Sequence, residues 1–263
     1  MLRRVGKFQG SRVFALDDEL GKVRDVYFDD EAWIARYLVV DLGGWLPGRK
    51  VLIAPQTVEL IDPVLHTVSL SLTRRRVEES PNIDTDKPVS RQHETELLRY
   101  YGHALYWTPG TPWAAAPLPL PTAPNASDIL ELQESRHRQQ ATDNDGHLRS
   151  AREVSGYTVS AVDGRVGHVT DFLLDDETWS IRYLVVDMGV WLFGHQVLVG
   201  RDLVRQIDWV DKSVEIDQTR PELEAATQFD PHHLPPGDIA MALNGSGARH
   251  RRKRRRPQEP EIR

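Results

Sequence analysis

Arg36-Tyr37-Leu38-Val39-Val40-Asp41 recurs unchanged as Arg182-Tyr183-Leu184-Val185-Val186-Asp187. The offset is 146 residues, and it holds without a gap on both sides of the hexapeptide. Gly21-Lys22-Val23-Arg24-Asp25 returns as Gly167-His168-Val169-Thr170-Asp171, and Asp29-Asp30-Glu31-Ala32-Trp33 as Asp175-Asp176-Glu177-Thr178-Trp179. Gly43, Trp45 and Gly48 meet Gly189, Trp191 and Gly194. The match then thins but persists in Ile61/Ile207, Val68/Val214 and Thr73-Arg74/Thr219-Arg220. About half of the positions from Gly10 to Leu52 equal their partners. So long a period is the duplication of one domain, not a stack of roughly 20–50-residue solenoid units.

Each copy reads as β. Short apolar runs at Val13–Leu16, Lys22–Phe28, Trp33–Asp41, Lys50–Ala54, Val58–Ile61 and Val68–Leu72 are separated by Asp17-Asp18, Asp29-Asp30, Gly43-Gly44, Pro47-Gly48 and Pro63, all good turn formers. Trp33–Asp41, rich in aromatic and β-branched residues, is expected to be the longest strand. Six strands in so short a stretch predict a small antiparallel barrel or sandwich, and closing the sheet would remove exposed edges. The second copy repeats the plan from Tyr157 to Ile216. Between the copies, Ser90 is placed to cap a helix with Leu97, Leu98 and Tyr101 on one face and Gly102 at its end. Six prolines from Pro109 to Pro124 predict an extended linker, and Asp128–Gln140 could hold a short helix. The expected division is a first barrel at 1–85, a helical flank at 86–108, a Pro-rich and polar linker at 109–147, a second barrel at 148–222, a C-terminal flank at 223–243 and a disordered basic tail at 244–263.

The 263 residues are 40% hydrophobic and contain no cysteine, which excludes disulfides, thiolate metal sites and cysteine nucleophiles. The net charge of −6 is uneven: Arg249–Arg263 holds eight Lys or Arg against two Glu, leaving −12 for the rest. An acidic body is a poor grip for phosphate backbones. With no apolar leader after Met1-Leu2-Arg3-Arg4 and no run near the roughly 20 apolar residues of a membrane span, a soluble, cytoplasmic protein is expected.

Gly21-x-Val-x-Asp25, Asp29-Asp30-x-x-Trp33, Arg36–Asp41 and Gly48-x-x-Val51-Leu52, with their counterparts 146 residues on, resemble the PRC-barrel family. This is the small β-barrel of the cytoplasmic part of the photosynthetic reaction centre H subunit, and a similar barrel ends the bacterial ribosome maturation factor. Ser90-Arg91-Gln92-His93-Glu94 through Tyr100-Tyr101-Gly102 and Tyr106-Trp107 also looks like the flank of tandem members. The resemblance implies two PRC-type barrels and a role in protein interaction and assembly rather than a shared reaction.

The repeated carboxylates Asp25, Asp29, Asp30, Asp171, Asp175 and Asp176 could converge on Ca²⁺ or Mg²⁺. The simpler reading makes Asp29-Asp30 a hairpin turn and pairs Asp25 with Arg36 across neighbouring strands. Asp143-Asn144-Asp145-Gly146 is not an EF-hand, because loop positions 1 and 12 would be Ala141 and Arg152. The ten histidines show no metal-ligand spacing, and no nucleophile elbow or phosphate-binding loop occurs, so no catalytic residue and no cofactor is expected. Trp33 and Tyr37 are four apart on one strand, so their side chains are expected to share a face. Trp45-Leu46 and Trp191-Leu192, in glycine-rich loops, are candidates for contact with a protein partner or between the two barrels, which are expected to pack with approximate two-fold symmetry. Arg251, Arg252, Lys253, Arg254, Arg255 and Arg256 could hold an anionic polymer or lipid without base stacking. Three readings follow: a non-catalytic interaction module, a ligand- or divalent-cation-binding protein, and a nucleic-acid- or anionic-surface-associated protein.

Overall fold

Apolar runs and turn chemistry produce the expected strands, with two additions. In a computed structural model that describes residues 1–43, 48–81, 89, 91–103, 105, 148–189, 195–226, 228–231 and 234, the first repeat contains β1 (Leu2–Arg4), β2 (Arg12–Phe14), β3 (Glu19–Asp29), β4 (Ile34–Asp41), β5 (Lys50–Ile53), β6 (Val58–Asp62) and β7 (Thr67–Leu70). The second contains β8 (Leu148–Ser150), β9 (Thr158–Ala161), β10 (Gly164–Asp175), β11 (Ser180–Asp187), β12 (Gln196–Gly200), β13 (Val204–Asp208) and β14 (Ser213–Ile216). Short helices α1 (Arg74–Glu78), α3 (Ala151–Val154) and α4 (Arg220–Glu224) accompany the strands, and α2 (Arg91–Tyr101) follows the first repeat. No helix among the described residues is long and apolar enough to cross a membrane.

All fourteen strands form one sheet, ordered β13-β14-β9-β10-β11-β4-β3-β2-β7-β6, with β1, β5, β8 and β12 attached beside it. The expected barrels are corrected in two respects. The sheet is not closed: among the described residues β5 bonds only to β4, and the Pro55–Thr57 turn carries the chain to β6 without a β5–β6 ladder. Nor is it wholly antiparallel, because β2–β7 and β9–β14 run parallel.

The first strand of each repeat pairs with the other repeat. β1 lies against β10 in the register Leu2↔Asp175, Arg3↔Leu174, Arg4↔Leu173. β8 lies against β3 in the register Leu148↔Asp29, Arg149↔Phe28, Ser150↔Tyr27. Subtracting the 146-residue offset from either ladder reproduces the other, so the exchange is reciprocal about a pseudo-two-fold axis. On that axis Ser180 of β11 pairs with Ile34 of β4. One hydrophobic cluster accordingly includes buried residues of both repeats, among them Val23, Phe28, Leu38, Val169, Phe172 and Leu184.

The longest strands are β3 and β10, not the segments that begin at the tryptophans. Trp33 and Trp179 instead end the hairpin turns, at φ 57° and 56°, a left-handed conformation that a bulky side chain adopts only under constraint. Trp33 N–H closes the turn on Asp29 O at 2.8 Å. The constraint continues across the axis, where Trp33 O accepts from Ile181 N–H and Trp179 O from Ala35 N–H, both at 2.8 Å.

Helix α2 forms where the sequence predicts it and buries Leu97, Leu98 and Tyr101. Gly102 follows at φ 76°, the usual way to end a helix. Glu94 is buried with it and accepts a 3.1 Å hydrogen bond from the Tyr37 hydroxyl. The possible helix at Asp128–Gln140, the linker 109–147 and the tail 244–263 lie outside the described residues.

Candidate functional site at the junction of the repeats

The repeated aspartates meet donors of the same chain. Asp25 Oδ2 accepts from Ser150 Oγ at 2.5 Å, and its Oδ1 accepts from the amides of Val26 at 2.8 Å and Arg152 at 3.1 Å. Its counterpart Asp171 accepts from Arg4 Nε at 2.7 Å and from the amides of Gly6 and Phe172 at 2.8 Å. Asp30 binds Arg149 Nε at 2.6 Å, and Asp176 binds Arg3 Nε at 2.5 Å. Each of these carboxylates ties its own repeat to the first strand of the other.

Asp29 works locally, and Asp175 repeats its turn contacts while its Oδ1 also accepts from the Met1 ammonium of the first repeat at 3.3 Å. Asp29 Oδ1 accepts from the Glu31 and Ala32 amides, as Asp175 Oδ1 does from Glu177. Asp29 Oδ2 takes Arg36 Nη2 at 3.1 Å, and Asp175 Oδ2 takes Arg182 Nη2 at 3.4 Å. Arg36 therefore pairs with Asp29, not with Asp25. The register explains this: Asp25 stands opposite Val39, and an irregularity between Tyr27 and Phe28 carries Arg36 toward the turn. Among the described residues no group of three or more His, Asp or Glu is placed to hold a metal ion.

The two clamps differ electrostatically. Asp171 has a guanidinium partner, whereas Asp25 faces a serine hydroxyl in the same place. Burial pushes the Asp25 carboxyl above its ordinary range, although its hydrogen bonds from Ser150, Arg152 and Val26 oppose the shift. A carboxyl raised in the folded state adds most to stability below its unfolded pKa, and that contribution is lost as pH rises through the folded one. Asp25→Asn should therefore leave stability unchanged or raise it near neutral pH, with the gain vanishing in acid. Asp171→Asn removes the carboxylate from Arg4 and should cost about 1–3 kcal/mol. Thermal melts of both variants from pH 3 to 8 check the contrast, and equal losses at neutral pH would contradict it.

Aromatic side chains fill the junction beneath these clamps. Phe28 packs on Trp33 with ring centroids 5.8 Å apart and on Phe172 of the other repeat at 5.3 Å. Phe8 reaches across to Trp179 at 5.9 Å. Trp33, Tyr37, Trp179 and Tyr183 are all buried, so these repeated aromatics belong to the core. Trp45, Leu46, Trp191 and Leu192, like Arg251–Arg256, lie outside the described residues. The sequence reading missed Arg3, Arg4, Arg149 and Ser150 as partners of the aspartates. The signal available was the return of Leu2-Arg3 as Leu148-Arg149 at the same 146-residue offset.

These features define a mainly β protein made by duplication, in which repeated acidic and aromatic residues join one copy to the other. The PRC-barrel domain family matches residues 2–68 and 147–223, and the chain belongs to that family. Domains of this family often act as protein-interaction modules and are generally non-catalytic. No curated protein matches the sequence.

Proposed function

We propose that the chain is a non-catalytic interaction and assembly protein, formed from two PRC-barrel units at 1–85 and 148–222 that act as one pseudo-symmetric platform. The observation that carries this reading is the use of the repeated groups. Trp33, Trp179, Asp25 and Asp171 are consumed in joining the repeats, which leaves Trp45-Leu46 and Trp191-Leu192 as repeated apolar residues for outside contact. Their loops start alike: Gly43 N–H donates to Asp41 Oδ1 and Gly189 N–H to Asp187 Oδ1, each at 2.8 Å, with φ of 66° and 60°. A dipeptide repeated after Gly43 and after Gly189 suits a partner with matching symmetry or two sites on one partner, where the second contact gains from high effective concentration.

Affinity capture from native extract tests this with three baits: the wild-type chain, a tail-less chain ending at Ala248, and the Trp45→Ala/Trp191→Ala variant. A shared partner set for the first two, lost in the third, is the expected result. Retention of the same set by the loop variant would remove the loops from the reading. Its loss with the tail alone would favour association through Arg251–Arg256.

A further inference from the structure

The 146-residue repeat supplies an internal comparison, and one corner of the first repeat departs from it in chemistry. Arg49, Arg76 and Ser80 have His195, Glu222 and Ala226 as counterparts. Arg49 precedes β5, Arg76 lies in α1, Ser80 follows α1, and Tyr101 and His103 end α2. Arg49 Nη2 donates to Ser80 O at 2.8 Å, and Arg76 Nη2 donates to Tyr101 O at 3.2 Å. The Tyr100 hydroxyl donates to Arg76 O at 2.7 Å, and the Tyr101 and His103 rings lie 6.2 Å apart.

Four side-chain atoms in this seam are buried without a hydrogen-bond partner among the described residues: Arg49 Nε, Ser80 Oγ, the Tyr101 hydroxyl and His103 Nε2. Ser80 is 3% and Tyr101 5% exposed. Ser80 lies near enough to Tyr101 to favour its ionised form, although no full hydrogen bond joins the two hydroxyls. Burial nevertheless pushes the tyrosine up to about 12, so its proton stays, and burial and Arg76 push the His103 imidazole down. All four groups can therefore donate at neutral pH, with His103 as the Nε2–H tautomer. Each orphaned donor costs about 1–3 kcal/mol, which makes four in one seam unusual. The nearby carboxylates are engaged, Glu78 with Arg74 and Glu79 with Arg75. Among the described residues neither Arg49 nor Arg76 has a carboxylate partner.

We propose that this seam binds a phosphate-type oxyanion, which accepts from Arg49, Ser80, Tyr101 and His103 and is neutralised by the Arg49 and Arg76 guanidiniums. Both guanidiniums are already oriented through their bonds to Ser80 O and Tyr101 O, so little ordering accompanies binding. The four atoms are covered, so binding requires the seam to open around the anion. The site is independent of the interaction reading given above.

Titration of the full chain with sodium phosphate at constant ionic strength, followed by calorimetry and thermal melting, tests the assignment. Saturable binding with a rise in melting temperature is expected. Ser80→Ala and Tyr101→Phe should each weaken binding about 10-fold or more. Without phosphate the same two variants should melt at or above the wild-type temperature, because each removes an orphaned group. Arg49→His and Arg76→Glu, the residues of the second repeat, should abolish the phosphate-dependent shift. The basic tail is intact in every variant, so tail binding cannot mimic these losses. Glycerol 3-phosphate in place of phosphate separates an organic phosphomonoester, bound more tightly, from the free ion, bound equally well. No saturable binding, or wild-type affinity in both Ser80→Ala and Tyr101→Phe, would overturn the proposal.

Discussion

Gly21→Ala is expected to destabilise the protein by more than about 4 kcal/mol and to lower its melting temperature by more than about 10 °C. A Cβ at this position would lie 2.0 Å from Asp41 O and 3.0 Å from both Asp41 C and Leu42 Cα. These are backbone atoms at the end of β4, so no rotamer change relieves the overlap. The second repeat carries the same constraint, with a Cβ on Gly167 falling 1.9 Å from Asp187 O. In both copies glycine permits one backbone to cross close over another. Gly10→Ala is the control: its φ is 80°, but nothing lies within 4 Å of the added carbon, so only about 1 kcal/mol of conformational strain is expected. Circular-dichroism melts of the two variants suffice. A Gly21→Ala protein melting within a few degrees of wild type would show that the strands do not approach as described.

The other large effect is expected at Phe28. This fully buried ring contacts Trp33 in its own repeat and Phe172 in the other. Phe28→Ala should cost about 3–5 kcal/mol through lost burial and a cavity. Its contact with both repeats adds a second expectation: unfolding stays a single transition, and amide-exchange protection falls in β10 and β11 as well as in β3 and β4. The exchanged strands underlie this coupling, since β1 cannot leave β10 without opening the second repeat, nor β8 leave β3 without opening the first. Two resolved transitions, with loss of protection confined to the first repeat, would mean that the repeats fold independently.

Much of this architecture is legible in the order of the amino acids. Short apolar runs such as Lys22–Phe28 and Trp33–Asp41, broken by Asp-Asp and Gly pairs, locate six of the seven strands of each repeat. Leu97, Leu98 and Tyr101 followed by Gly102 locate α2. Such signals are local, since an apolar face and a turn residue act within a few positions of each other. The seventh strand carries no such signal. Leu2-Arg3-Arg4 is three residues long with two charges, and its partner is the distant segment Leu173–Asp175.

The aspartates show the same division. Their recurrence at 146-residue spacing marks them in the sequence, but a carboxylate can end a turn, pair with an arginine or bind a cation with equal ease. The choice depends on which donors arrive: Ser150 and the Arg152 amide reach Asp25 only because β8 crosses to the first repeat, and an irregularity in the β3–β4 register sends Arg36 to Asp29. The tryptophans are similar. Their identity is written in the repeat, whereas the left-handed backbone that turns their carbonyls across the axis is imposed by Ala35 and Ile181.

Taken alone, the sequence determined the duplication, its period, the β character of each copy and the positions of most elements, because hydrophobic alternation and turn preference are properties of neighbouring residues. Tertiary structure decided that the sheet stays open, that the first strands change places and that the acidic residues join the copies. Those outcomes depend on registers and contacts between segments far apart in the chain, where many pairings satisfy the same local pattern and only simultaneous packing of both repeats selects one.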